Sequence, residues 1–265
     1  MSIKGYLLDL DGTIYRGEKV VYGATAAINA LENRGRRMLF VSNKPLYSRK
    51  DYAQKLSRLG IPAEEGKVIN SSFILARYIA KEAPGAKVFA IGEPPLLEEL
   101  QRAGLKLTDN PREIEYVIAA FDRTFDYRKL NIAFQALRRE ARFYATNPDR
   151  TCPVEEGEIP DAAAVIAALE VTSGRKVEKV FGKPSRYMVE VALEMLGLPA
   201  ESCAMVGDRL ETDIRMAKEH GLTAILVLTG VTKPEDLRQS PIRPDYVLQS
   251  IAELPKLDAE LGGGA

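Results

Sequence analysis

Short apolar runs recur along the chain, and stretches whose apolar residues repeat at helical spacing lie between them. The strand-like runs cover residues 3–8, 38–41, 87–91, 116–121, 142–145 and 203–206. The helical stretches cover residues 24–33, 48–59, 70–83, 94–103, 127–140, 161–172 and 187–196. Alternation of this kind is typical of βα units and predicts an α/β fold with a mainly parallel sheet.

The first apolar run leads directly into the sequence Asp9-Leu10-Asp11-Gly12-Thr13. A fully apolar run predicts a buried strand of a parallel sheet, and Gly12 indicates a sharp turn at its end. Side chains alternate along a strand, so both aspartates face one side of the edge where open α/β sheets bind ligands. Two like charges placed there need a cation, a shared proton or a catalytic task. The alternative is a strand that ends in an ordinary carboxylate-rich turn.

Three later segments place further polar groups at predicted strand ends or loops. Ser42 and Asn43 follow the second apolar run, where a hydroxyl, an amide and backbone N–H groups can hold phosphate oxygens. Lys183 precedes a helical stretch, whose N-terminus favours anions. Asp208 follows the last apolar run, and Asp213 lies near the start of the next helix. Each segment alone has an ordinary alternative: a Ser/Asn turn, a solvated lysine, or helix capping.

In this order, the four segments together resemble the haloacid dehalogenase superfamily of phosphohydrolases. Further segments resemble its NagD-like and 4-nitrophenylphosphatase-like enzymes, and the similarity covers nearly the whole chain. These segments are residues 145–149, 182–184, 206–209, 212–213 and 227–231. One departure is Lys44, at a position where relatives often carry a second asparagine. That departure leaves the phosphate contacts intact and bears on substrate preference.

The motif segments divide the chain into a discontinuous core and an insertion. Residues 1–80 and 178–265 carry all four motifs, and residues 81–177 form a second series of strands and helices. With the resemblance, this predicts a Rossmann-like, doubly wound parallel sheet core with an inserted smaller α/β cap domain. The polar loop at 147–160 carries Asn147, Asp149 and Arg150. In relatives the matching loop selects the leaving group, whereas the alternative for this loop is a surface turn.

The resemblance implies a Mg²⁺ site built from hard oxygen ligands. The carboxylates of Asp9 and Asp208 and the backbone carbonyl of Asp11 would supply those ligands. Asp213 would act through water or by orienting the ligands. The metal would offset the repulsion between a carboxylate nucleophile and a negatively charged phosphomonoester.

The resemblance also implies the role of each remaining site residue. Asp9 would be the nucleophile that forms an aspartyl-phosphate, and Asp11 would protonate the leaving oxygen and later activate water. Ser42, the Asn43 backbone and Lys183 would bind the phosphoryl oxygens. An acid at position 11 favours phosphoryl transfer over dehalogenation, since only an alkoxide leaving group requires a proton. The chain contains no GxxxxGK[ST] sequence, so no P-loop is expected.

Composition excludes several other classes of protein. The chain has 265 residues, of which 46% are hydrophobic, and its 37 basic residues balance 37 acidic ones. Neutral net charge gives no electrostatic reason for a nucleic-acid or anionic-membrane partner. No secretory signal is visible, and no apolar run reaches the roughly 18 residues that span a bilayer. We therefore expect a cytoplasmic protein.

The sequence predicts a Mg²⁺-dependent phosphomonoester hydrolase acting on small phosphorylated metabolites, with 4-nitrophenyl phosphate as a surrogate substrate. Nucleotides, sugar phosphates, phosphoglycolate and pyridoxal phosphate remain open as substrates. Two alternatives are a phosphotransferase that uses an alcohol as acceptor and a non-catalytic metabolite-binding protein with the same fold. Because relatives commonly dimerise through the cap, the resemblance also leaves a cap-mediated homodimer open.

Overall fold

The structure, a computed structural model, describes residues 2–154 and 156–262. Its strands are β1 (Gly5–Asp9), β2 (Tyr15–Arg16), β3 (Lys19–Val20), β4 (Arg37–Ser42), β5 (Val68–Asn70), β6 (Lys87–Ile91), β7 (Lys106–Leu107), β8 (Tyr116–Ala119), β9 (Arg142–Ala145), β10 (Thr151–Val154), β11 (Gly157–Pro160), β12 (Lys179–Val180), β13 (Cys203–Gly207), β14 (Thr223–Val227) and β15 (Tyr246–Leu248). Its α-helices are α1 (Ala24–Asn33), α2 (Arg49–Arg58), α3 (Ser71–Glu82), α4 (Pro94–Arg102), α5 (Tyr127–Leu137), α6 (Ala162–Ser173), α7 (Arg186–Leu196), α8 (Arg215–Glu219), α9 (Pro234–Gln239) and α10 (Leu254–Gly262). Every predicted strand and helix is present, with ends that differ from the predicted ones by at most three residues.

Several helices begin where a short polar side chain precedes an apolar stretch. The side chains of Asn70, Asp126, Asp161 and Ser185 each accept a hydrogen bond from a backbone N–H in the first turn of the helix that follows. Such caps satisfy N–H groups that have no partner within the helix. These four positions therefore fix the starts of α3, α5, α6 and α7.

By contacts within the chain, the structure divides into two compact units. The core unit comprises residues 1–42, 49–69 and 183–265, and the inserted unit comprises residues 43–48 and 70–182. The assignment of the inserted unit as a substrate-selecting cap stays a prediction. Across residues 2–154 and 156–262, no helix has both the length and the apolar character required to cross a membrane.

The core unit is built around a six-stranded sheet with the order β15-β14-β13-β1-β4-β5. The strand β1 pairs in parallel with β13 and β4, and β14 pairs in parallel with β13 and β15. The strands that follow β1 in the chain, β4 and β5, lie on one side of it, and the later strands β13, β14 and β15 lie on the other. The boundary between β1 and β13 is therefore a topological switch point, where open α/β sheets leave a crevice for ligands.

Strand register sets which polar residues meet at that crevice. Asp9 lies opposite Val41 of β4, and Leu8 lies opposite Val206 of β13. Ser42 comes one residue after Val41, and Asp208 comes two residues after Val206. Both therefore lie at the same edge of the sheet as Asp9. All five residues of β1 are buried, as expected for a central parallel strand covered on both faces.

The inserted unit has its own parallel sheet, with the order β12-β9-β8-β6-β7. Its apolar core joins Val117, Phe143 and Leu169, from β8, β9 and α6, with α5 also contributing. The loop predicted at 147–160 differs from expectation, because β10 and β11 form an antiparallel hairpin within it. The hairpin pairs Cys152 with Ile159, two apolar positions in an otherwise polar stretch, which gave too weak a periodic signal to predict strands.

Candidate active site

Asp9 ends the central strand of the core sheet and is 7% exposed. Its Oδ1 accepts a hydrogen bond from Lys183 Nζ at 2.5 Å, and its Oδ2 accepts one from Thr13 Oγ1 at 3.3 Å. Thr13 reaches back to this carboxylate because the chain turns at Gly12, whose φ is +93°. Burial raises the pKa of Asp9 to about 6, against the opposing attraction of Lys183. The carboxylate is thus desolvated but held in one orientation by two donors.

Lys183 bridges two aspartates in the interior of the core unit. Its Nζ lies 2.5 Å from Asp9 Oδ1 and 2.6 Å from Asp213 Oδ1, and the lysine side chain is 4% exposed. Burial alone would lower the pKa of Lys183, but the charges of Asp213 and Asp9 raise it well above its usual range. The lysine is therefore a fixed positive charge beside Asp9, and it arrives from a segment distant in sequence.

Asp208 follows β13 and is packed against two glycines. Its Oδ2 accepts a hydrogen bond from the Val231 N–H at 2.6 Å. A Cβ at Gly12 would lie 2.5 Å from that same oxygen, and one at Gly230 would overlap the carboxylate. Burial, together with the charges of Asp9 and Asp213, raises the pKa of Asp208 to about 8. Two glycines are therefore required at these positions for the carboxylate to fit.

Three carboxylates of the core unit come together around Lys183. Asp9, Asp208 and Asp213 each offer an oxygen, and these oxygens all lie within 4.8 Å of one another. All three are buried, so repulsion among them is weakly screened, and it contributes to the raised pKa of Asp9 and Asp208. A divalent cation would relieve that repulsion, and it prefers such oxygen donors. The cluster can therefore hold a metal ion.

Asp213 contacts both the backbone of its own segment and Lys183. It lies in a π-helical turn, Leu210–Ile214, and its Oδ2 accepts a hydrogen bond from the Arg209 N–H at 3.1 Å. Its Oδ1 contacts Lys183, and a Cβ at Gly207 would overlap its carboxylate. These contacts hold the Asp213 carboxylate beside Lys183, within reach of the other two carboxylates.

Asp11 and Ser42 are the other predicted core residues of the site. Asp11 lies two residues past the end of β1, half-buried, and forms an isolated bridge with Tyr15. The buried Ser42 ends β4, and its hydroxyl donates a hydrogen bond to the Tyr52 hydroxyl at 3.1 Å. Ser42 therefore stands at the same sheet edge as Asp9, with its hydroxyl oriented by α2.

The inserted unit contains the remaining predicted residues. Asn43 donates from Nδ2 to Asp149 Oδ2 at 2.9 Å. Asn147 is fully buried and donates from Nδ2 to Asp149 Oδ2 at 2.8 Å and to Asp161 Oδ1 at 3.0 Å. Arg150 is exposed. Of the three residues predicted in the loop, Asn147 and Asp149 are thus bound to other protein groups.

Several groups that orient the site were not predicted from the sequence. They are the Thr13 hydroxyl on Asp9, the Tyr52 hydroxyl on Ser42, the Val231 N–H on Asp208, and Thr229, whose Oγ1 donates to the Gly12 carbonyl at 2.7 Å. Thr13 and residues 227–231 lie in segments already noted for their resemblance, which was the available signal. Nothing in the local pattern around Tyr52 indicates its contact.

Family models match both parts of the core. The model for haloacid dehalogenase-like hydrolases matches residues 6–106, and a second model, HAD-hydrolase-like, matches residues 180–254. The two matched ranges include Asp9, Asp11, Ser42, Lys183 and Asp208.

Curated proteins and solved structures are similar over nearly the full length of the chain. The sugar-phosphatase AraL of Bacillus subtilis is 39% identical over 98% of this chain and 95% of its own length. The p-nitrophenyl phosphatase structure from Archaeoglobus fulgidus has a TM-score of 0.93 and 36% identity, covering 97% of this chain and 100% of that one. NagD from E. coli has a TM-score of 0.88 and 30% identity, covering 96% and 98%. The chain belongs to the haloacid dehalogenase-like hydrolase family, and within it to the phosphatases of the NagD and 4-nitrophenylphosphatase type.

Proposed function

We propose that this phosphatase hydrolyses phosphomonoesters of small metabolites with Mg²⁺, through an aspartyl-phosphate on Asp9. The observation that carries the proposal is the Asp9 carboxylate, which ends the central strand at the switch point and lies 2.5 Å from Lys183 Nζ. A carboxylate in that place is oriented by fixed donors and stands beside a positive charge that attracts phosphate.

In the first step, an Asp9 oxygen attacks the phosphorus, and the bond to the leaving-group oxygen breaks. Asp11 gives its proton to that oxygen, so the leaving group departs as a neutral alcohol. The Ser42 hydroxyl, the Asn43 backbone N–H and Lys183 Nζ stabilise the charge on the phosphoryl oxygens as it passes to Asp9.

In the second step, water attacks the phosphorus of the aspartyl-phosphate. Asp11, now ionised, accepts a proton from the water, and the bond between phosphorus and the Asp9 oxygen breaks. Inorganic phosphate leaves, and both aspartates return to their starting state. The same side chain thus acts as acid in one step and as base in the other.

Mg²⁺ is the divalent ion that we propose for the carboxylate cluster. When bound, it would neutralise the charge between the Asp9 carboxylate and the phosphate oxygens. The ion would be held by the carboxylates of Asp9 and Asp208 and by the backbone carbonyl of Asp11. Asp213 would orient Lys183 and the metal ligands. A small number of protein oxygen ligands, with water and phosphate oxygens in the remaining coordination positions, suits Mg²⁺.

Chelation is expected to remove activity in a reversible way. EDTA should abolish phosphate release, added Mg²⁺ should restore it, and Ca²⁺ should restore it poorly, because Ca²⁺ takes more ligands at longer distances. Phosphate release measured in EDTA, and again with each ion in excess, tests this. Full activity in EDTA or with Ca²⁺ would contradict the proposed site.

The substitution Asp11→Asn is expected to slow reactions with poor leaving groups most. An alkyl phosphate requires a proton on its leaving oxygen, whereas 4-nitrophenolate leaves with little help. The measurement is the ratio of wild-type to variant kcat/KM for one alkyl phosphate and for 4-nitrophenyl phosphate. The alkyl ratio should be larger, and equal ratios would argue against Asp11 as the acid.

The proposed substrates are small phosphorylated metabolites, with sugar phosphates and nucleoside monophosphates first. This choice follows the names of similar proteins, which include a sugar-phosphatase and a 5′-nucleotidase of Bacillus subtilis. Arg150, exposed at the end of the 147–150 segment, is the residue that we propose to contact leaving groups. A cytoplasmic location and a homodimer formed through the inserted unit stay predictions.

A panel of phosphorylated metabolites with Mg²⁺ tests the proposed function. The expected result is stoichiometric release of inorganic phosphate, with kcat/KM differing among leaving groups. Adding alcohols as acceptors separates hydrolysis from transfer, because a phosphotransferase would form new phosphate esters in place of phosphate. No turnover of any phosphomonoester would refute the proposal.

A further inference from the structure

Four polar side chains of the inserted unit form one hydrogen-bonded cluster, here called the amide–carboxylate cluster: Asn43, Asn147, Asp149 and Asp161. Asp149 Oδ2 accepts from Asn43 Nδ2 at 2.9 Å and from Asn147 Nδ2 at 2.8 Å. Asn147 Nδ2 also donates to Asp161 Oδ1 at 3.0 Å. Two amides and two carboxylates thus alternate from the end of β4 to the start of α6.

The inner half of the cluster is fixed in place by burial and by the backbone. Asn147 is fully buried and Asp161 is 4% exposed. Asn147 Oδ1 accepts from Thr146 Oγ1 at 2.8 Å, and Asp161 Oδ1 accepts from the Ala162 N–H at 2.5 Å, where α6 begins. Leaving a buried polar group without a hydrogen-bond partner costs free energy, so these side chains are held in the one arrangement that pairs them. Asn147 and Asp161 therefore form a rigid base for Asp149.

The outer half of the cluster restrains Asn43. Its side-chain amide donates to Asp149, and its backbone carbonyl accepts from Ser71 Oγ at 2.6 Å. On the other side, a Cβ at Gly182 would lie 2.7 Å from Asn43 Oδ1, so only glycine leaves room for the asparagine there. Contacts on the side chain and on the carbonyl fix the backbone angles of this one residue.

The cluster adjoins the phosphate-binding residues along the chain on both sides. Asn43 directly follows Ser42, and Gly182 directly precedes Lys183. In the proposed mechanism the Asn43 N–H, the Ser42 hydroxyl and Lys183 Nζ hold the phosphoryl oxygens. A donor that is misplaced by a fraction of an ångström loses much of its effect on a developing charge.

We infer that Asp149, held by Asn147, is a positioning residue that fixes Asn43 for phosphate binding. This inference rests on the proposed function and replaces the leaving-group role that the sequence predicts for Asn147 and Asp149. A residue that acts through Asn43 affects the part common to all substrates, the phosphoryl group. Its loss should therefore lower kcat/KM for every substrate by a similar factor. The binding of inorganic phosphate should weaken as well.

The substitutions Asp149→Ala and Asn43→Ala, alone and combined, test this inference. Each single variant should lower kcat/KM by roughly 10- to 100-fold for sugar phosphates and for 4-nitrophenyl phosphate alike. Inhibition by inorganic phosphate should weaken in both. Because Asn43→Ala removes the group on which Asp149 acts, the double variant should lose no more than either single variant.

Two further variants guard against a trivial result. Asp149→Asn keeps the shape of the side chain and an amide oxygen that can accept from both Asn43 and Asn147, so it should keep much more of the wild-type kcat/KM than Asp149→Ala. Asp109→Ala is the matched control in the same unit, because Asp109 pairs with Arg128 on the surface with 67% of its side chain exposed. We expect that control to change kcat/KM by less than about 2-fold.

The outcomes separate positioning from direct substrate contact. If Asp149→Ala changes the order of substrates, or if the losses in the double variant multiply, Asp149 contacts leaving groups and the inference is wrong. Unchanged kinetics and unchanged phosphate inhibition in an active, folded Asp149→Ala protein would also overturn it. Failure of the proposed function is a different result, since wild-type protein would then release no phosphate at all.

Discussion

Replacing Asp9 with asparagine is expected to lower turnover by roughly four orders of magnitude or more, as loss of a covalent nucleophile does in other enzymes. An amide neither attacks phosphorus nor binds a hard cation well. The fold should survive, because burial raises the pKa of Asp9 and its charge is therefore unfavourable in the native state. The measurements are phosphate release with Mg²⁺ and the thermal unfolding midpoint in its absence.

The matched control for this variant is Asp51→Asn, on the exposed part of α2 in the same unit. That change should leave both turnover and unfolding close to wild type. An Asp9→Asn protein that melts normally and still hydrolyses substrates would remove Asp9 as the nucleophile. A lower unfolding midpoint for Asp9→Asn would contradict the electrostatic account of the cluster.

Replacing Lys183 with methionine is expected to reduce both stability and activity. Methionine fills a similar volume, but Asp9 and Asp213 lose the ammonium that lies 2.5 and 2.6 Å from them. Removing one partner of a buried ion pair typically costs about 3–5 kcal/mol of unfolding free energy, because the other charge is left buried. All substrates should be affected together, since Lys183 binds the phosphoryl group that they share.

The double variant Lys183→Met/Asp213→Asn separates charge from packing. Removing one of the stranded carboxylates should recover part of the lost unfolding free energy while activity stays low. Denaturant unfolding of the wild type and both variants without divalent ions measures this. If Lys183→Met lowers the unfolding free energy by less than about 1 kcal/mol, these ion pairs contribute as little to stability as exposed pairs do.

The sequence predicted most of the core and the carboxylates of the site. The apolar runs that precede Asp9, Ser42 and Asp208 are neighbouring strands in the structure, because buried parallel strands have a strong and local apolar signature. Their carboxyl ends share one sheet edge in any doubly wound fold, so residues far apart in sequence were expected to meet. Lys183 could be assigned to the site only through the resemblance, since a lysine before a helix is common in any protein.

Other parts of the site depend on contacts that no local pattern encodes. The Val231 N–H that holds Asp208 is a backbone group, and any residue except proline could supply it. The Tyr52 hydroxyl reaches Ser42 from a helix whose other features are those of a surface helix. The bond from Asn43 to Asp149 joins residues 106 positions apart, so only the folded chain reveals it.

The glycines of the site illustrate the same limit. Gly12 was predicted to mark a turn, and it does, with φ of +93°. Its second property, room for the Asp208 carboxylate, appears only in three dimensions, where Gly230 shares it. Space for a buried carboxylate is set by distant parts of the chain and leaves no pattern in the sequence around it.

The most direct test of the central claim is mass spectrometry of the Asp9 peptide during turnover. The Asp11→Asn variant is mixed with 4-nitrophenyl phosphate and Mg²⁺ and quenched in acid, because this variant should form the intermediate with an easy leaving group yet hydrolyse it slowly. The account predicts one phosphoryl group on Asp9, appearing with the first equivalent of 4-nitrophenolate and absent in Asp9→Asn/Asp11→Asn. A phosphoryl group on another residue, or a burst of 4-nitrophenolate with Asp9 unmodified, would contradict it.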